Sequence, residues 1–236
     1  MKIIHCINEK EMGQLACRSI MTSLRKKKDL LLCAATGNSP IDTYTLLADE
    51  YGKDPKIFSH LRLVKLDEWG GIPGNDPGTC ESFLRKRLVI PLNIDKKRYI
   101  SFESNPDVPV EECNRIQTLL EKNGPIDLCI LGLGMNGHIA FNEPAEELTG
   151  HCHVARLSNK SMQHSMTQNM TIIPTFGLTL GMANILQSKK IIILVSGKNK
   201  KTIINAFLKR KISTKLPASF LWLHPNVECL LDTGSL

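Results

Sequence analysis

Aromatic residues are scarce, making up only 5% of the 236 residues. Proteins that bind single-stranded nucleic acid stack bases on aromatic rings, so the scarcity argues against a nucleic-acid partner. Long hydrophobic runs are also missing. Nothing approaches the roughly 20 apolar residues of a membrane-spanning helix, and no membrane partner is expected. The opening residues, M-K-I-I-H-C-I-N-E-K, have too short an apolar stretch, too soon followed by acid, to read as a secretory signal. No C-x-x-C spacing occurs among the eight cysteines, and Cys33 and Cys129 sit inside apolar runs, where a thiol behaves as a small hydrophobe. Reduced thiols in a reducing compartment, hence a cytoplasmic protein, are the expectation. His151, Cys152 and His153 are adjacent, but three consecutive residues on a strand do not converge on one ion, so no metal is expected.

The charge is unbalanced without being patterned. The net charge is +7, with short basic clusters at residues 25–28 and 198–201 and the remaining Lys and Arg spread along the chain. A solvated surface accounts for this best, and a small anionic substrate accounts for it as well as a nucleic acid would.

Hydrophobic residues at 42% and charged residues at 22% describe an ordinary globular chain with a core. Its length fits one α/β domain over residues 1–236. Continuous apolar runs at 30–35, 61–66, 127–131, 176–180 and 190–195 read as buried strands, with further strands at 2–6, 98–102, 151–157 and near the carboxyl end. Helical spacing appears over about 8–28, 41–51, 79–88, 110–122 and 182–186. Strands alternating with helices predict a three-layer α/β/α sandwich on a mainly parallel sheet. Residues 158–171 are polar with three methionines, and read as a surface helix or a lid.

Chemistry concentrates at strand ends. The run ending at Leu131 breaks into Gly132, Gly134 and Gly137, followed by His138 and Glu143; three glycines allow sharp turns and a close approach to a ligand. The run 61–66 ends in Asp67-Glu68-Trp69-Gly70-Gly71, where the acids are either catalytic or a cap for the next element. Residues 30–35 lead into Thr36-Gly37-Asn38-Ser39-Pro40. This is either a well-capped turn, with Ser39 at the N-cap and Pro40 at N1, or a pocket for a single phosphate at a helix N-terminus. Val195-Ser196-Gly197-Lys198-Asn199-Lys200-Lys201 repeats the strand–Gly–helix pattern, with lysines that either reach a phosphate or form a solvated face.

Taken together, T-G-N-S-P, L-D-E-W-G and G-L-G-M-N-G-H-I-A-F-N-E-P resemble the glucosamine-6-phosphate deaminase/isomerase family, including its galactosamine-6-phosphate branch, over residues 30–231. The resemblance implies a modified Rossmann-like sheet. It implies conversion of a 2-amino-2-deoxyhexose 6-phosphate to a ketose 6-phosphate and ammonia, with no metal or organic cofactor. By motif, Asp67 falls on the base that moves the C2 proton, His138 on the residue assisting ring opening, and Glu143 on the carboxylate orienting that histidine. Lys200, Thr36, Gly37, Asn38 and Ser39 fall on the phosphate pocket. A further phosphate-binding arginine of the family falls about ten residues before Pro174, on His164, with Lys160 and Arg156 as nearby basic alternatives.

Asn136 stands where many relatives have Asp. An amide hydrogen-bonds but brings no charge, so Glu143 is expected to be the histidine's charged partner. The chain stops soon after its last strand, and little activation by an N-acetylated sugar phosphate is expected, in a monomer or small homo-oligomer. The rivals are a 6-phosphogluconolactonase, which needs neither a C2 base nor the N-E-P carboxylate, and a sugar-phosphate sensor without catalysis, which tends to lose the acid/base residues kept here.

Overall fold

Most of the apolar runs form one sheet that is buried on both faces. A computed structural model describes residues 1–159, 161–163, 166–167 and 170–235. Its strands are, in chain order, β1 (Lys2–Cys6), β2 (Leu31–Ala34), β3 (Arg62–Lys65), β4 (Asp67–Gly70), β5 (Tyr99–Ile100), β6 (Leu128–Gly132), β7 (His153–Ala155), β8 (Phe176–Thr179), β9 (Ile191–Val195) and β10 (Val227–Asp232). Seven of them make a sheet in the order β1-β10-β9-β6-β2-β3-β5, with parallel pairing throughout. The helices are α1 (Glu9–Lys26), α2 (Ile41–Lys53), α3 (Cys80–Leu84), α4 (Pro109–Asn123), α5 (Met182–Leu186) and α6 (Lys201–Leu208).

Burial on both faces explains why the runs are continuous rather than alternating. Leu32, Ala34, Ile130, Ile192 and Leu194 pack on one side with α1 and α2 residues such as Ile20 and Leu47. Leu31, Cys33, Cys129, Leu131, Ile193 and Val195 pack on the other with Ile116 of α4 and Phe207 of α6. The expected α/β/α sandwich is present. The eight cysteines are unbridged and buried. No helix among the described residues is long and apolar enough to cross a membrane.

Four expectations need correction. The acids at 67–68 and the loop after them are not a strand exit: Asp67–Gly70 forms β4, one residue beyond β3. It pairs antiparallel with β8, which pairs antiparallel with β7, in a separate three-stranded sheet. The run 176–180 therefore belongs to this small sheet and not to the parallel one. The helix expected over 79–88 is regular only through Leu84, after which Ile90 N–H bonds back to the Arg85 carbonyl in a wider turn. Ser39 is not an N-cap: α2 starts at Ile41 behind Pro40 without a side-chain cap, because the Ser39 hydroxyl is engaged with that of Ser196 at 3.1 Å.

The described residues of the segment read as a surface helix or lid are not all exposed. Ser161–Gln163 is a single 3₁₀ turn. Met166 is buried against the Trp69 and Phe141 cluster. Thr171 is pinned by its N–H and hydroxyl to Asp76 Oδ2, at 2.9 and 2.5 Å. His164 and Lys160 lie outside the described residues.

Candidate active site

In a parallel sheet, ligands bind beyond the carboxyl ends of strands where the chain order reverses. Here the crossovers diverge between β2 and β6: β2 is followed outward by β3, and β6 by β9. A cavity of about 430 Å³ opens there, lined by Thr36–Ser39 after β2, Gly132–Met135 and His138 after β6, and Ser196, Gly197, Asn199 and Lys200 after β9. Asp67 and Trp69 of the small sheet form another wall. The structure thus brings Asp67, His138, Thr36, Gly37, Asn38, Ser39 and Lys200 to one cavity. Asn136 and Glu143 stand behind His138. Arg156 is exposed and lines a different cavity beyond Glu143.

Asp67 is buried, with 8% of its surface exposed. Burial disfavours its charged form, the Glu68 carboxylate raises its pKa further, and Lys65 and the Cys80 thiol counteract, leaving it at about 7. A carboxylate so placed exchanges protons near neutral pH instead of resting permanently ionised.

His138 is reached through a loop that only glycine permits. A Cβ on Gly134 would lie 2.3–2.5 Å from the His138 ring. The Asn136 Oδ1 atom accepts the His138 N–H at 3.2 Å, and its Nδ2 donates to Glu143 Oε2 at 2.7 Å. Glu143 Oε2 lies 3.5 Å from His138 Nδ1. Ser158 donates to Glu143 Oε1 at 3.2 Å, and Ser161 donates to the same oxygen while standing 3.3 Å from His138 Nδ1. Burial would raise the Glu143 pKa. The bond and charge of His138, followed by Ser161 and Asn136, outweigh it and hold Glu143 at about 2. An ionised Glu143 favours the proton on Nδ1, leaving Nε2 available to the cavity.

At the other end, Gly37 has φ of 97°, a left-handed conformation that lets the turn after β2 fold over the pocket. Lys200 Nζ donates to the Leu133 carbonyl at 2.5 Å. Burial lowers its pKa against the raising influence of Glu9, so its ammonium is poorly solvated and suited to an anion.

Ser158, Ser161, Glu9 and Cys80 were not singled out from sequence. Ser158 and Ser161 lie in a polar stretch without a motif, and their contacts to Glu143 are tertiary. Ala140, in the cavity wall at φ 52°, is likewise invisible in a run reading H-I-A-F. No cluster of metal-ligating residues occurs among the described residues.

The family model "Glucosamine-6-phosphate isomerases/6-phosphogluconolactonase" matches residues 8–230. The chain belongs to this family. Among curated relatives, a protein of Escherichia coli (strain K12) with the provisional name deaminase AgaI is 39% identical, over 96% of this chain and 90% of its own. The glucosamine-6-phosphate deaminase of Clostridium tetani is 36% identical over 98% and 97%. A solved monomeric glucosamine-6-phosphate deaminase superposes with a TM-score of 0.94 at 32% identity, covering 100% of this chain and 98% of that one. A 6-phosphogluconolactonase from Trypanosoma cruzi shares the fold at a TM-score of 0.81 and 21% identity, over 98% and 94%.

Proposed function

We propose that the protein converts a 2-amino-2-deoxyhexose 6-phosphate and water to a ketohexose 6-phosphate and ammonia. One observation carries this reading: a single cavity holds a buried carboxyl titrating at about 7 on one wall, a carboxylate-oriented histidine on another, and a lysine–serine end suited to phosphate. The deaminases among its relatives point the same way.

The chemistry follows from these groups. The phosphate end holds the sugar so that its reacting carbons face Asp67 and His138, converting substrate binding into orientation. His138 takes the O1 proton through Nε2 and returns it to O5, opening the ring, while Glu143 stabilises the transient imidazolium. Asp67 takes the proton from C2, next to the C1 carbonyl, and delivers it to C1. The resulting C2 imine adds water, the C2–N bond breaks, and ammonia leaves with its electron pair. No metal or organic cofactor is invoked.

The monomeric relative supports a monomer, which sedimentation at micromolar concentration checks. The activity is tested by incubating the protein separately with glucosamine 6-phosphate, galactosamine 6-phosphate and 6-phosphogluconolactone. Ammonia from at least one amino sugar, without accelerated lactone hydrolysis, is expected. Lactone hydrolysis without ammonia release would overturn the proposal.

A further inference from the structure

The side chain of Lys65 has no exposed surface, although the catalytic steps above do not use it. Its three donors are all engaged, with Glu68 Oε2 at 2.6 Å, Glu81 Oε2 at 3.0 Å and the Phe102 carbonyl at 2.7 Å. Glu68, also fully buried, accepts the backbone N–H groups of Trp69, Cys80 and Glu81, each at 2.8 Å. One carboxylate thus fastens β4, immediately after Asp67, to the first turn of α3. That turn in turn sets the Cys80 thiol 3.8 Å from Asp67 Oδ1 and 3.3 Å from Thr36 Oγ1.

A buried ion pair is seldom more stabilising than a well-packed apolar pair of similar volume. Stability alone therefore does not account for two buried charges beside Asp67. We propose that Lys65 and Glu68 are positioning residues for Asp67: the Glu68 carboxylate, held by Lys65, locks β4 to α3 and thereby fixes both the orientation of the Asp67 carboxyl and the charge it faces. Their role in catalysis rests on the reading of Asp67 as the proton-moving base. Their effect on the carboxyl itself does not.

The titratable groups facing Asp67 come from several elements, and β8, which pairs with β4, contributes none. They are Glu68 on its own strand, Lys65 on β3, Cys80 on α3, Cys33 on β2 and Tyr44 on α2, with His138 across the cavity. Burial pushes the Cys33 and Cys80 thiols and the Tyr44 phenol well above their ordinary values, so these stay neutral. Glu81, the outer partner of Lys65, also bonds the Tyr99 hydroxyl at 3.0 Å. Lys65 and Glu68 are left as the adjacent charges, and they push the Asp67 carboxyl in opposite directions.

The test follows the Asp67 carboxyl by ¹³C NMR in the free protein, together with the acid limb of kcat/KM. Glu68→Gln should move the titration to lower pH and Lys65→Met to higher pH, each by about one unit. The double variant should fall between the two. Shifts in the same direction, or none, would overturn the proposal. If the single variants do not fold, the double variant removes both fully buried charges, leaves Glu81 with Arg85 at 3.8 Å, and carries the test: kcat should fall at least about tenfold at unchanged KM, and a wild-type kcat would overturn it. Absence of ammonia release by the wild type would instead defeat the proposed activity, while the substrate-free titration still decides the positioning role.

Discussion

Asn136 and Glu143 are bonded directly, amide Nδ2 to carboxylate Oε2 at 2.7 Å, and His138 sits on both of them. The amide lets Glu143 stay fully charged beside the histidine. Asn136→Asp would place two carboxylates at that separation, where both do not ionise together. The pH–rate profile of Asn136→Asp should gain an extra ionisation between acid and neutral pH, with activity recovering toward alkaline pH. A profile superimposable on the wild type would refute this.

Asp67 should set a trade-off between stability and function. Its native pKa of about 7 lies above the unfolded value of about 4. As pH rises between the two, the unfolded chain ionises first, and native stability falls by an amount on the order of a few kcal/mol before levelling off. Asp67→Asn removes that loss. It should melt higher than the wild type at pH 8 and about equally at pH 4, while kcat falls by about 10²- to 10⁴-fold. Paired melting curves and turnover assays check both halves.

The acid limb of wild-type kcat/KM should have its midpoint near the Asp67 value of about 7, because the base must be ionised to take the C2 proton. Glu143, held at about 2, should contribute nothing to the profile above pH 4. A limb centred between 4 and 5 would contradict this.

Lys200→Met should weaken phosphate recognition. Charge-assisted bonds are worth about 1.5–3 kcal/mol, so KM should rise about 10- to 100-fold. Competitive inhibition by inorganic phosphate should weaken in parallel. Unchanged inhibition would place the phosphate elsewhere.

Gly134→Ala puts a methyl group 2.3–2.5 Å from the His138 ring. The ring must move, and kcat should drop at least about tenfold while circular dichroism at 25 °C stays native.

The parallel sheet was legible because its strands are apolar on both faces and bounded by turn residues, as with Leu31–Ala34 and Ile191–Val195. Asp67, His138 and Lys200, which line one cavity, were picked out because each comes shortly after a strand of the parallel sheet. The small sheet was not: a four-residue strand such as Asp-Glu-Trp-Gly has no periodicity to read, and β4 finds its partner β8 more than 100 residues away. Glu68 illustrates the limit. Sequence offered the adjacent acids as catalytic or capping, and the structure separates them, with Asp67 lining the cavity and Glu68 accepting the α3 amides. Ser158 and Ser161 reach Glu143 from 15 and 18 positions away, and no local pattern announces such contacts.

Leu66 alone separates the parallel sheet from the antiparallel one. The proposed phosphate ligands hang from the first, and the proposed base begins the second, one residue past the end of β3. Phosphate recognition and the proposed C2 proton transfer are therefore written on separable pieces of backbone, while the proposed ring-opening His138 follows β6 of the parallel sheet. A lineage can rewrite the small sheet, and with it the bond that is broken, while the grip on a sugar phosphate is inherited intact. A family whose description joins an isomerase to a lactonase is what such a division of labour would leave behind.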